Sequence, residues 1–190
     1  MLPTSRTDLQ PDAERRRAVF FDRDGTVIID RHYPKEPAEV DLFPGAAAGL
    51  IALRAKGFLI FVVSNQSGVG RKMITEEDVG RVHDAMVDRL RIEGAGIDGV
   101  RYCLHAPWDG CDCRKPSPRF VLELASEHDV DLARSFMVGD KPDDVETGKR
   151  AGTHTILFAP EAPDDLGTAD AMATNWNEII QLVDREMGSR

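Results

Sequence analysis

Basic charge, aromatic rings and cysteines are all scarce in this sequence, and each shortage narrows what the chain can do. Lys and Arg number 24 against 33 Asp and Glu, a formal net charge of −9. That balance speaks against a broad nucleic-acid footprint, because neutralising a phosphate backbone takes a clustered basic surface. Only 6% of residues are aromatic, and no basic strand face carries the rings on which bases stack. No apolar run approaches the roughly 20 residues of a membrane-spanning helix. Residues 1–17 hold Arg15, Arg16 and Arg17 with no apolar segment before them, so they do not read as a secretory signal. Asp8, Asp12 and Glu14 fit a transit peptide poorly. This stretch reads as a mobile leader, residues 18–190 as one domain, and the expected setting is the cytoplasm. The three cysteines, Cys103, Cys111 and Cys113, form an odd, tightly spaced set. Such a set makes a poor disulfide framework and points to metal binding.

A chain of 190 residues with 42% apolar and 30% charged residues is enough for one well-buried core. Short apolar runs alternate with longer helical patterns, which predicts an α/β fold: a Rossmann-like parallel sheet of about five strands flanked by helices. The strand candidates are Ala18–Phe21, Phe58–Val63, Gly99–Leu104, Ser135–Val138 and Thr153–Phe158. Helices are predicted from about Gly45 to Lys56, from Thr75 to about Glu93, over Arg119–His128 and Asp143–Ala151, and near Asn177–Glu186. Gly57 marks one helix end, and Thr75 with Asp78 gives a capping-box-like start to the next. Residues 159–174 read as a loop.

Chemistry-bearing residues follow these strands. Asp22-Arg23-Asp24-Gly25-Thr26 comes directly after the first one. Ligands of open parallel sheets bind at the carboxyl ends of strands, so both carboxylates are placed at such a crevice. Ser64-Asn65-Gln66-Ser67-Gly68, Lys115 and Gly139-Asp140-Lys141-Pro142-Asp143-Asp144 follow later strands in the same way. Singly each reads as a turn, a helix cap or a solvated cation; together they converge on one edge. A second set, Cys103, His105, Cys111 and Cys113, supplies three thiols and one imidazole, the donors of a closed tetrahedral Zn²⁺ site. Pro107 and Trp108 inside this loop are assigned to packing and rigidity.

The four motifs resemble the haloacid dehalogenase superfamily over about Ala18 to Phe158. The resemblance implies Asp22 as a nucleophile that attacks phosphorus and Asp24 as general acid, then base. It also implies that Ser64 and Lys115 hold phosphoryl oxygens, and that Mg²⁺ is bound by Asp22, Asp140 and the main-chain carbonyl of Asp24. The chemistry calls for such a set: a dianionic phosphate repels a carboxylate until a cation and a lysine neutralise it. Hard oxygen donors suit Mg²⁺. The zinc loop running into Arg114-Lys115-Pro116 is similar to that of the heptose 1,7-bisphosphate phosphatases, with the histidinol-phosphate phosphatase domain a close relative. This narrower likeness implies substrate contacts from Asp30, Tyr33, Asn65, Gln66, Ser67, Arg114 and Lys141, and a sugar bisphosphate as substrate.

The gaps between motifs are used by assigned elements, so no large cap domain fits. The 30–40 segment and the zinc loop are left to select the substrate. A monomer is expected, with neither membrane nor nucleic acid as partner. A non-catalytic phospho-acceptor module also uses acids, Ser or Thr and Lys on an α/β sheet, but its acidic pair is adjacent and its third strand leads to no cysteine cluster.

Overall fold

The structure, a computed structural model, describes residues 15–161 and 167–188. The leader expected at the N-terminus lies outside the described residues for 1–14. Six parallel strands, β1 (Arg17–Phe21), β2 (Phe58–Asn65), β3 (Gly99–Cys103), β4 (Phe136–Gly139), β5 (His154–Phe158) and β6 (Ala171–Ala173), form one sheet in the order β3-β2-β1-β4-β5-β6. Five helices join or follow them: α1 (Ala46–Ala55), α2 (Glu76–Ile92), α3 (Arg119–Glu127), α4 (Pro142–Ala151) and α5 (Trp176–Gly188). Between β1 and α1 the chain forms a 3-10 turn at Pro37–Glu39 and otherwise irregular structure, and no cap domain is inserted among the described residues.

Both faces of the sheet are covered, which is why the strands read as near-continuous apolar runs rather than alternating ones. Along β1, Val19 and Phe21 face a core shared with Leu50 and Leu53 of α1, Met86 and Leu90 of α2, and Ile179 and Val183 of α5. Ala18 and Phe20 face a second core with Val121 and Leu124 of α3 and Ala151 of α4. Each buried side chain of this size contributes roughly 1.5–3 kcal/mol. Trp176, at the first turn of α5, stacks on Phe21 at 5.0 Å and donates its indole N–H to the Thr26 carbonyl at 3.2 Å. The last helix thereby braces the loop that follows the first strand.

Three differences from the sequence reading have local causes. The first strand begins at Arg17, inside the stretch read as leader, because its guanidinium lies over the Phe58 ring (4.8 Å to the centroid) and donates to the Lys56 carbonyl at 3.1 Å. The second strand runs on through Ser64 and Asn65, which pair with Tyr102 and Cys103 of β3. The sheet gains β6 from the region read as a loop: Asp170 accepts from the Thr155 amide (2.8 Å) and hydroxyl (2.7 Å), seating Ala171–Ala173 beside β5.

Candidate active site

The chain runs from β1 outward to β2 and β3, then returns to the centre and continues outward through β4, β5 and β6. Sheets of this kind open a crevice where the strand order reverses, here between the carboxyl ends of β1 and β4. Asp22 follows β1, with its amide donating to the Val138 carbonyl of β4 at 2.9 Å, and Asp140 follows β4. Gly25, at φ +83°, turns the chain back beneath Asp140; a Cβ there would lie 2.5 Å from Asp140 Oδ2, so both the positive φ and the close approach require glycine.

At the floor of the crevice Lys115, only 3% exposed, donates to Asp22 Oδ1 (2.8 Å), Asp144 Oδ1 (2.5 Å) and the Val63 carbonyl (2.8 Å). Burial works to raise the Asp22 carboxyl, but the Lys115 ammonium outweighs it and holds the group below the usual carboxylate range. Burial works to lower Lys115, and Asp144 and Asp22 reverse this and push the ammonium above its ordinary value. Asp144 was not singled out as a site residue by sequence. Its second oxygen accepts from the Lys141 amide at 3.0 Å, capping α4, so one carboxylate both starts a helix and fixes the lysine. The capping role is the signal its spacing gives, and it hides the other.

Asp22, Asp140 and Asp144 offer carboxylate oxygens within 4.8 Å of one another. Asp144 has both oxygens engaged, whereas Asp140 Oδ1 is buried with no partner. Burial and the Asp22 charge push the Asp140 carboxyl up to about 7. An orphaned hard oxygen in a surplus of negative charge suits a small divalent cation. The Asp24 side chain points elsewhere: Arg23 Nε donates to it at 3.0 Å and Gln66 Nε2 at 2.7 Å. Gln66 Nε2 also lies 3.1 Å from Ser64 Oγ, and its Oε1 accepts from Arg23 Nη2 at 2.9 Å. Arg23 is 1% exposed and lies over the Tyr102 ring, whose hydroxyl is 2.9 Å from His83 Nδ1. Nothing in the sequence pattern marked Arg23, since a lone arginine between two acids carries no periodic or spacing signal.

Asn65, expected to touch substrate, holds the Lys115 backbone from both sides: its Nδ2 donates to the Lys115 carbonyl (3.1 Å) and its Oδ1 accepts from the Lys115 amide (2.9 Å). Asp22, Asp24, Asp30, Tyr33, Ser64, Asn65, Gln66, Ser67, Arg114, Lys115 and Lys141 all line one cavity of about 360 Å³, joined by Arg71, a size suited to a small ligand. Lys141 lies 3.7 Å from Asp30 and 3.5 Å from Asp140, and Arg114 has a buried Nη1 without a partner.

Cys103, His105, Cys111 and Cys113 form the second cluster. Cys103 Sγ lies 3.7 Å from Cys111 Sγ, 3.3 Å from Cys113 Sγ and 3.6 Å from His105 Nδ1. A tetrahedron with metal–sulfur bonds of about 2.3 Å has edges of about 3.8 Å, so the four donors fit one metal ion. Burial pushes the Cys103 thiol up to about 12, a penalty that a bound cation would relieve. Trp108, assigned to packing, packs outside the core, with the Arg71 guanidinium 5.0 Å from its ring centroid. It is 69% exposed at the loop tip, because Pro107 and Asp109 turn the chain outward, the Ala106 amide donating to Asp109 at 2.7 Å.

A family model described as HAD-hydrolase-like matches residues 112–173. The D-glycero-beta-D-manno-heptose-1,7-bisphosphate 7-phosphatase of Rhodopseudomonas palustris is 42% identical over 156 residues, covering 78% of this chain and 87% of the relative. The protein of that name from Helicobacter pylori strain J99 is 35% identical, covering 88% and 97%. Among solved structures, D,D-heptose 1.7-bisphosphate phosphatase from B. bronchiseptica, complexed with magnesium and phosphate, matches with a TM-score of 0.78 and 28% identity over 90% of this chain and 99% of that one. With its fold, its motif geometry and relatives aligned over most of its length, the chain belongs to the HAD-like phosphatases, in the family of the heptose-1,7-bisphosphate 7-phosphatases.

Proposed function

We propose that this chain hydrolyses the terminal phosphate of a sugar 1,7-bisphosphate, most specifically D-glycero-D-manno-heptose 1,7-bisphosphate, by way of a phospho-aspartate on Asp22. The observation that carries the reading is the Lys115 ammonium set between Asp22 and Asp144 at the floor of the cavity. There it presents the nucleophile and neutralises the incoming phosphoryl group. A Mg²⁺ held by Asp22, Asp140 and the Asp24 carbonyl would neutralise the remaining phosphate charge.

In the first step an Asp22 carboxylate oxygen attacks phosphorus, and the bond from phosphorus to the sugar oxygen breaks. Asp24 gives its proton to the departing alkoxide. Asp24 then accepts a proton from water as that water attacks the phosphorus of the phospho-aspartate. The bond from phosphorus to Asp22 breaks, and orthophosphate leaves. Ser64 and Lys115 hold the equatorial oxygens through both steps. The Gln66 amide, shared between Asp24 and Ser64, keeps the proton carrier and the phosphate clamp in register. The cysteine and histidine cluster would hold a structural Zn²⁺, leaving no coordination position for water. The family likeness and the reaction both suit the cytoplasm.

Steady-state kinetics with heptose 1,7-bisphosphate, histidinol phosphate and a nucleoside monophosphate test the reading. The heptose bisphosphate is expected to show the highest kcat/KM. An equal or higher value for histidinol phosphate would overturn the substrate choice.

A further inference from the structure

One cation of the cavity, Arg71, has no part in the chemistry described above. It sits where two segments are locked together. The Gln66 amide donates to the Cys103 carbonyl at 2.7 Å, the Gly70 amide to the Leu104 carbonyl at 2.8 Å, and the Arg71 amide to the Ser67 carbonyl at 3.0 Å. Gly70 presses so closely that a Cβ would fall 2.2 Å from the Ala106 nitrogen. The turn carrying Arg71 is therefore fixed against the start of the metal loop. From the tip of that loop Trp108 meets it, with the Arg71 guanidinium 5.0 Å from the ring centroid.

No carboxylate among the described residues pairs with Arg71, whereas Lys141 is held by Asp30 and Asp140 and Lys115 by Asp22 and Asp144. A guanidinium resting on a ring uses its face and leaves its N–H edge free, the edge that grips phosphate in bidentate fashion. An indole exposed at a loop tip gains little by itself, and the stack accounts for its placement. Near it in the same cavity, Arg114 keeps a buried Nη1 without a partner. The two phosphates of a sugar bisphosphate lie at opposite ends of the carbon chain. That arrangement matches a buried anion site at the floor of the cavity and an exposed one at its rim.

We infer that Arg71, steadied by Trp108, binds the phosphate that is not cleaved and so selects bisphosphates over monophosphates. This inference rests on the function proposed above. The distal phosphate is remote from the reacting atoms, so its contact serves ground state and transition state alike and the effect falls on KM rather than kcat.

The test compares heptose 1,7-bisphosphate with heptose 7-phosphate, using variants whose zinc content equals the parent's. Arg71→Met is expected to lower the ratio of kcat/KM for bisphosphate over monophosphate by roughly ten- to hundredfold, the range of a charge-assisted hydrogen bond. Trp108→Ala is expected to lower it by roughly two- to fivefold, and Trp108→Phe, which keeps an aromatic face, to recover most of that loss. Equal losses on both substrates in Arg71→Met, or Trp108→Phe as impaired as Trp108→Ala, would overturn the assignment while leaving the proposed function standing. A parent that cleaves neither sugar phosphate would overturn both.

Discussion

Asp22 and Asp24 are separated by one residue and have different neighbours, which suits the different work proposed for them. Asp22 faces the Lys115 ammonium at 2.8 Å, and Asp24 is gripped by Arg23 and Gln66. Asp22→Asn and Asp24→Asn are each expected to lower phosphate release by at least a thousandfold with the fold intact, the first by removing the nucleophile and the second the proton carrier. Purified variants with native circular dichroism and turnover within tenfold of the parent would contradict those roles. Asp144 makes the buried ion pair with Lys115 and caps α4. Asp144→Ala is therefore expected to cost roughly 3 kcal/mol in urea unfolding, the scale of breaking a buried pair; a loss below about 1 kcal/mol would show that Lys115 re-pairs without cost. The acids Asp22, Asp24 and Asp140 were legible because they follow apolar runs at strand ends. Asp144 was legible only as a helix cap, and Arg23 not at all, since its importance lies in burial against Tyr102 and Gln66, partners far away in sequence.

At the scale of elements, β1 to β5 and the five described helices could be read from runs and caps, most plainly where strands covered on both faces leave an apolar signature. The edge strand β6 could not: Ala-Met-Ala is three residues long with no β-branched side chain, and it is seated by Asp170 rather than by its own propensity. Burial tends to raise the Asp170 carboxyl, but the Thr155 hydroxyl and amide, with Lys149 and His154 nearby, hold it below the ordinary value. A folded-state pKa lower than the unfolded one contributes stability above the unfolded pKa of about 3.9 and loses it as pH falls through the folded value. Asp170→Asn should accordingly be less stable than the parent at pH 7, by about 1 kcal/mol once the half-exposed carboxylate is discounted for solvent screening. The gap should close below about pH 4. Thermal melts of both proteins between neutral and acid pH check this, and a gap independent of pH would show that the carboxylate's charge is irrelevant to β6.

Across the whole molecule, the sulfur-rich cluster and the acidic cavity are joined by one short stretch of chain, since Cys113 of the cluster precedes Lys115 of the cavity floor by two residues. The acidic site is open to solvent, and a Mg²⁺ there would keep several waters. Activity is expected to disappear within the mixing time of EDTA and to return with added Mg²⁺. The sulfur-rich cluster has four protein donors, and one zinc per chain is expected to survive that treatment. Cys111→Ser is expected to lose the zinc and lower kcat by roughly tenfold or more by displacing Arg114 and Lys115, with a smaller effect on global unfolding. Elemental analysis together with turnover decides this, and unchanged kinetics in a zinc-free variant would remove the link between the two sites.

The indole of Trp176 beneath the Thr26 carbonyl also has a bearing on biosynthesis. During translation Asp22 emerges before Lys115, yet the brace under the loop bearing Asp22 and Asp24 is made one hundred and fifty positions after Thr26. Contacts of such long range form late. A nascent chain halted between Asp144 and Trp176 thus carries every acid and cation assigned to the reaction and still lacks the support that aligns the first two. Catalytic competence should arise abruptly as α5 docks, so that partly synthesised chains remain silent towards phosphorylated metabolites.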